Sequence, residues 1–449
     1  MGGKLKNILI LTYYFPPAGG PGVQRVLKFI KYLPEYGWNP IVVTVKDGDF
    51  PAHDPSLFSD IPEQVQVFRV PALEPYQIYR KLTGKDKAEK IPVGILARDT
   101  TSSLKDKIAK WIRANFFIPD ARIGWIFPVY KQASRIIKKY DIDAILSSSP
   151  PHSVQITANL LNMKFNLPWI CDLRDPWTEI YYYQHIKRLF LSNLMDKKLE
   201  KYVLHSADKI VTVSPQLVNQ FKAIANNTEY LFIPNGYDVS DFNSKVITNN
   251  RLFTLSYIGN FKANQNIKSL WSAIRELLNE DPDFARSFQI NLTGKIHPDI
   301  LESLQKTGLE QHLKKEDYVP HSIAVKRMQE STVLLFPIPK APDNQGILTG
   351  KIFEYLASNT PLLSIGPPEG DAADIIRQVE GGPMFDYSDK VEIKEYIKKL
   401  FDGWKSNSLD SFSPNSKKVI KYNRKELTGK LAANINKLYR KKYGKSRSC

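Results

Sequence analysis

Short apolar runs alternate with helical periods along the chain, and each run breaks at a turn bearing glycine, proline or polar residues. Residues 7–12 read as a buried strand, followed by a loop containing Gly19, Gly20, Pro21 and Gly22 and by helical periodicity over 23–36. A second strand at 41–45 completes a βαβ unit. The alternation continues with strands at 65–70, 144–148, 169–173 and 209–213 and helices at 134–140, 153–164 and 190–205. Such alternation predicts parallel strands with helices on both faces. A short strand at 230–233 and the turn Pro234-Asn235-Gly236 read as a domain link, after which the pattern restarts. Strands are predicted at 254–258, 288–292 and near Tyr318, with helices at 267–278 and from His321. A last helix over 424–438 carries Leu427, Leu431, Ile435 and Leu438 on one stripe that needs a surface to cover.

The most informative stretch is 346–358, GILTGKIFEYLAS, between apolar runs at 333–339 and 361–366. It reads as strand, loop, helix, strand, and in open parallel sheets the loop at the carboxyl end of a strand is where ligands bind. Thr349 is the expected N-cap, and Gly350 lets a ligand approach the free amides of the first turn, which together with the helix dipole favour a phosphate. Glu354 lies one turn further in, about 6 Å along the axis at the usual rise per residue, within reach of a ribose joined to that phosphate. An ordinary first-turn glutamate is the competing reading.

The chain has 449 residues, enough for two domains that each bury a core, and its 42% hydrophobic and 24% charged residues are those of a folded protein. Cys171 and Cys449 form no disulfide framework, which fits a reducing compartment, and a cytoplasmic setting is expected. The net charge of +17 favours an anionic partner. Ten Lys or Arg face four Asp or Glu over 80–113, and Leu104, Ile108, Trp111 and Ile112 fall there at helical spacing beside Lys105, Lys107, Lys110 and Arg113. That segment reads either as an amphipathic helix on an anionic membrane surface or as a helix buried against the first domain. Charge alone speaks for nucleic acid, and no binding motif accompanies it, so none is expected.

The motifs YYFPPAGGPGVQRV, SSSPPHS, DLRDPW, VTVS, IPNGYD, YIGN, DYVPH, GKIFEYLAS and GPPEGDAADII follow in this order over nearly the whole length. As a series they resemble the GT-B retaining glycosyltransferases of the family 4 type. The resemblance implies an α/β fold of two Rossmann-like doubly wound domains facing across a cleft. Residues 1–233 would bind the acceptor and 234–420 the nucleotide-sugar donor, with 421–449 a helix returning to the first domain plus a basic tail. Glu354 matches the family's nucleotide-ribose glutamate, whereas the sugar-binding glutamate is replaced by Gly346, leaving Asp343, Asn344, Gln345 or backbone amides for that task. Asn260 replaces the family's arginine after the YIG turn. Lys262 is then the first candidate phosphate ligand, with Lys351 and Lys295 behind it and Gly259 in the turn. Gly20 matches the loop that approaches the donor phosphates, His152 the histidine that contacts the transferred sugar, and Gly19, Arg25, Arg174 and Asp175 are placed on the acceptor side. An ion pair between Arg174 and Asp175 is the alternative for those two.

Asp141-Ile142-Asp143 and Asp281-Pro282-Asp283 spell Asp-x-Asp, but both precede strands, so they read as solvated turns and no metal or other cofactor is expected. The expected activity is retaining transfer of a sugar from a nucleotide diphosphate sugar to a glycan, lipid-linked or other hydroxyl acceptor, in surface polysaccharide biosynthesis. A nucleotide-sugar epimerase of the same fold and a non-catalytic nucleotide-sugar or anionic-lipid binding protein are the alternatives.

Overall fold

A computed structural model describes residues 5–48, 50, 53–72, 111–179, 188–242 and 251–444. The stripe expected over 104–112 lies outside these residues up to position 110, as do Cys449 and the end of the basic tail. The chain divides into two compact units, one of residues 1–233 with 427–449 and one of residues 234–426.

The first unit is built on a parallel sheet of β1 (Lys6–Thr12), β2 (Trp38–Lys46), β3 (Gln66–Pro71), β4 (Ile142–Ser149), β5 (Trp169–Leu173), β6 (Lys209–Thr212) and β7 (Tyr230–Phe232), in the order β3-β2-β1-β4-β5-β6-β7. Alternation along β1 feeds both faces: Leu9 and Leu11 join one core cluster and Ile8 and Ile10 the other. The second cluster is closed by the helix Arg424–Tyr443, whose Leu427, Leu431, Ile435 and Leu438 are all buried. Lys209 fixes that helix to the sheet through a 2.7 Å hydrogen bond to Asn434.

The second unit carries β8 (Phe253–Ile258), β9 (Phe288–Thr293), β10 (Leu313–Glu316), β11 (Val333–Pro337), β12 (Leu362–Ile365) and β13 (Met384–Phe385), all parallel, in the order β10-β9-β8-β11-β12-β13. Phe253, Phe284, Phe288, Phe401 and Trp404 pack ring to ring at one end of its core. Both sheets reverse direction of growth beside their first strand, between β1 and β4 and between β8 and β11, and such switch points open ligand crevices at the strand carboxyl ends.

Three local expectations change. The strand near Tyr318 ends earlier, at Glu316, and Tyr318 itself is 84% exposed. Asp143 is not a solvated turn residue, because its carboxylate accepts the Asn7 N–H across the sheet at 2.9 Å. Asp281 is a helix cap, accepting the N–H groups of Asp283 and Phe284.

Candidate functional site

At the switch point of the second unit, β8 runs into Gly259, whose φ of +128° lies where only glycine is unstrained. A Cβ at this position would stand 2.8 Å from the Lys351 ammonium. The missing side chain therefore admits Lys351, whose Nζ sits 3.8 Å from the centroid of the Tyr257 ring. Burial pushes this ammonium down to about 7, against the attraction of Glu354 and with the repulsion of Lys262.

Lys351 stands in the first turn of the helix Gly350–Ala357, held by the buried side chains of Ile352, Phe353, Tyr355 and Leu356. The Tyr355 hydroxyl accepts the Ile258 N–H at 3.0 Å, tying the helix to the end of β8. Thr349 occupies the N-cap with extended backbone, but its hydroxyl makes no capping bond. One turn in, the Glu354 carboxylate lies 3.2 Å from His321 Nε2. Burial opposes ionisation of Glu354, yet the His321 hydrogen bond and the charges of His321, Arg424 and Lys351 hold its carboxyl below the usual value. The same hydrogen bond raises the His321 imidazole.

His321 is the partner that sequence reasoning missed, since 33 positions separate it from Glu354 and only the placement of two helices beside β11 joins them. A raised histidine stabilises the folded state below its unfolded pKa and loses that contribution as pH rises through the folded value. A depressed carboxylate contributes above its unfolded value and loses it as pH falls through the folded one. Removing the pair by His321→Gln is therefore expected to lower the melting temperature between about pH 4.5 and 6.5, by about 0.5–1 kcal/mol for a partly exposed pair, and to have less effect at pH 9. Thermal melts of both proteins across pH check this.

Lys262 and Lys295 are exposed, so the order of candidate cations changes: Lys351 is the one seated against the Gly259 turn. The backbone at Lys262 is fixed by the Gln265 carboxamide, which accepts the Lys262 N–H and donates to the Pro337 carbonyl, locking the turn. Asn260 is exposed, and its carbonyl accepts the Tyr257 hydroxyl at 2.8 Å. Near Gly346, the Asn344 amide donates to Pro339 and Tyr387, whereas Asp343 and Gln345 are exposed. Of the side chains suited to sugar recognition there, these two are the ones left at the surface.

In the first unit, Gly20 has φ +108° and opens the helix Pro21–Tyr32. A Cβ at Gly22 would fall 1.8 Å from Arg174 Nη1, so glycine there makes room for a guanidinium at the helix start. Arg174 is not paired with Asp175 but donates to the carbonyls of Ser149 and Pro150, and Asp175 is exposed. Gly19 is half-buried in the same loop. His152 stacks flat on Trp177 with ring centroids 4.5 Å apart, and its Nδ1 lies 3.3 Å from the Ser149 hydroxyl. Burial pushes the imidazole down to about 3, so it is neutral at physiological pH and serves as a hydrogen-bonding group rather than a cation. Trp177, which the DLRDPW motif contained without revealing its role, is itself held by the Asp196 carboxylate at 2.8 Å.

Arg25 requires a correction. It is 2% exposed and its guanidinium is bound to Asp172, itself fully buried, at 2.8 Å. It is a core ion pair beneath the loop, not a residue that touches an acceptor.

Residues 87–241 match the family model described as Glycosyltransferase Family 4. No curated protein matches the chain in sequence. Among solved structures, a glycosyltransferase from Rickettsia africae aligns over 99% of this chain and 100% of its own, with TM-score 0.63 and 15% identity. Sucrose-phosphate synthase from Thermosynechococcus elongatus aligns over 98% and 100%, with TM-score 0.61 and 15% identity. Anabaena HepE, solved with UDP and glucose, aligns over 96% and 99%, with TM-score 0.60 and 13% identity. With a Glycosyltransferase Family 4 match over residues 87–241 and two parallel sheets that align with these structures over nearly the whole chain, the chain has the GT-B fold.

Proposed function

We propose that the protein transfers a sugar, with retention of anomeric configuration, from a nucleoside diphosphate sugar to a hydroxyl of a glycan or lipid-linked acceptor in surface polysaccharide assembly. The observation that carries this reading is the Lys351 ammonium against Gly259 at the start of the helix Gly350–Ala357, with Glu354 one turn behind it. That spacing suits a diphosphate at the cation and amides and a ribose at the carboxylate. The likeness to Anabaena HepE, whose crystals hold UDP and glucose, supports a nucleoside diphosphate donor of this kind.

In this reading the bond from the anomeric carbon to the β-phosphate oxygen breaks, and its electrons leave with the diphosphate. Lys351 and the first-turn amides neutralise the charge that develops there, which is the main catalytic contribution. The acceptor oxygen attacks the anomeric carbon from the face the diphosphate leaves, and its proton passes to a departing phosphate oxygen. No protein nucleophile is assigned. Within the first unit, neutral His152 is a hydrogen-bonding group suited to a hydroxyl, and the helix start at Gly20 holds the Arg174 guanidinium against Gly22.

Incubation with a panel of nucleotide sugars tests the reading. Transfer to an acceptor supports it, interconversion of donors without transfer makes the protein an epimerase, and thermal stabilisation without turnover makes it a binding protein. Glu354→Gln is expected to raise the donor KM about 10–100-fold, the loss of a hydrogen bond to a charged group. Unchanged donor affinity in that variant removes Glu354 from the site.

A further inference from the structure

The helix Phe190–Ser206 is turned inside out. Its buried stripe begins with Ser192, Asp196 and Glu200, while Phe190, Leu191, Leu194 and Met195 face outward, Phe190 being 80% and Leu191 68% exposed. Three polar side chains of the helix enforce this orientation. The Ser192 hydroxyl donates to the Asn115 carbonyl at 2.8 Å, Asp196 accepts from Trp177 and pairs with Arg188, and Glu200 accepts from the Thr178 hydroxyl. Rotating the helix to hide its apolar side chains would strip buried carboxylates of their partners, which is costly. The apolar face is therefore held outward by the fold.

A second piece of chain continues the surface. The Asn115 side chain accepts the Leu189 N–H at 2.5 Å, which places residues 111–116 beside the start of this helix. Phe116, 64% exposed, and Trp111, 40% exposed, stand edge to face on that segment. Contiguous exposed apolar surface of this kind marks an interaction site.

Charge identifies the occupant. Both acids of the helix point inward, whereas Lys197, Lys198 and Lys201 are exposed about two to three turns beyond Phe190. At helical spacing Lys198, Lys201 and the half-exposed Tyr202 fall on the same face as Phe190 and Leu194. An apolar first turn followed by lysines and a tyrosine, with no acid, suits the boundary of an anionic bilayer, and the chain's net charge of +17 has the same sign. Among the described residues no helix is long and apolar enough to cross a membrane, so the contact is peripheral.

We infer that this face docks the first unit on an anionic lipid surface, with Phe190 and Leu191 inserted and Lys197, Lys198 and Lys201 on the headgroups. The inserting helix Phe190–Ser206 lies outside the basic stripe the sequence offered, and the surface takes Trp111 from the end of that stripe.

The test is sedimentation of the full chain with vesicles of phosphatidylglycerol in phosphatidylcholine, against pure phosphatidylcholine. The wild type is expected to pellet with the anionic vesicles, less so at high salt. The double variant Phe190→Ser, Leu191→Ser is expected to lose partitioning at least about tenfold at unchanged melting temperature, since both side chains are exposed. Lys197→Glu, Lys198→Glu, Lys201→Glu is expected to abolish the preference for anionic lipid. Equal pelleting of the wild type and the serine variant overturns the inference and leaves the basic segment before residue 111 as the contact. A wild type that stays in solution also overturns it. So does a concentration-dependent dimer in sedimentation velocity that the serine variant dissolves while vesicle binding persists, because the occupant is then a second copy.

Discussion

Replacing Lys351 by Met is expected to lower kcat/KM for glycosyl transfer about 10²–10³-fold, the magnitude found when one group stabilising a developing negative charge is removed. Lys351 is the lysine seated against the Gly259 turn, whereas Lys262 and Lys295 are out in solvent. It is also desolvated, which strengthens its interaction with an arriving anion. Stability is expected to hold or rise, because methionine keeps most of the volume over the Tyr257 ring while the cost of burying an ammonium disappears. Lys351→Arg is not expected to rescue activity. The approach to Gly259 already leaves 2.8 Å to a hypothetical Cβ, and a planar guanidinium is bulkier than an ammonium. Initial rates with a saturating acceptor, read beside a thermal melt, separate loss of chemistry from loss of fold.

Arg25→Met is expected to be strongly destabilising, by about 3–5 kcal/mol, because it leaves the Asp172 carboxylate buried without its cation. Asp172 keeps a 2.6 Å hydrogen bond from the Ser148 hydroxyl, which softens the loss without neutralising the charge. The double variant Arg25→Met, Asp172→Leu is expected to recover most of the stability, since a well-packed apolar pair replaces the ion pair. Urea melts of the three proteins check this. A residue that bound an acceptor would show the opposite pattern, with activity lost and stability kept.

Arg25 also shows where the sequence stops being informative. Read along the chain, an arginine just after a glycine loop looks like a ligand for an anion, and nothing local reveals that Asp172, 147 positions away, comes to lie beneath it on β5. The elements themselves are legible wherever one period dominates. The strand Trp169–Leu173 is a short apolar run bounded by Pro168 and Arg174, and the helix Gly350–Ala357 follows a clear cap position. Tyr318 misleads because an exposed aromatic imitates a strand residue when the actual strand, Leu313–Glu316, has a single apolar residue and is otherwise charged. Periodicity places the helix Phe190–Ser206, but it gives two faces without saying which one is inside. That choice is made by Asn115, Trp177 and Thr178, which lie outside the helix in sequence. For the site, Glu354 and the helix start can be read from one stretch, whereas the rank of Lys351 over Lys262 depends on which lysine the β8 turn admits.

The most direct measurement is calorimetric titration of uridine, guanosine and adenosine diphosphates into the wild type and Lys351→Met at several pH values. With the free ammonium near 7 and an anion raising it on binding, a cognate diphosphate is expected to take up close to one proton at about pH 8. Its affinity is then expected to fall as pH rises from 7 towards 9, by up to about tenfold per unit, and Lys351→Met is expected to bind more weakly with a flat profile. Binding that is as tight in Lys351→Met as in the wild type, with the same proton uptake, would contradict a donor site at this helix start.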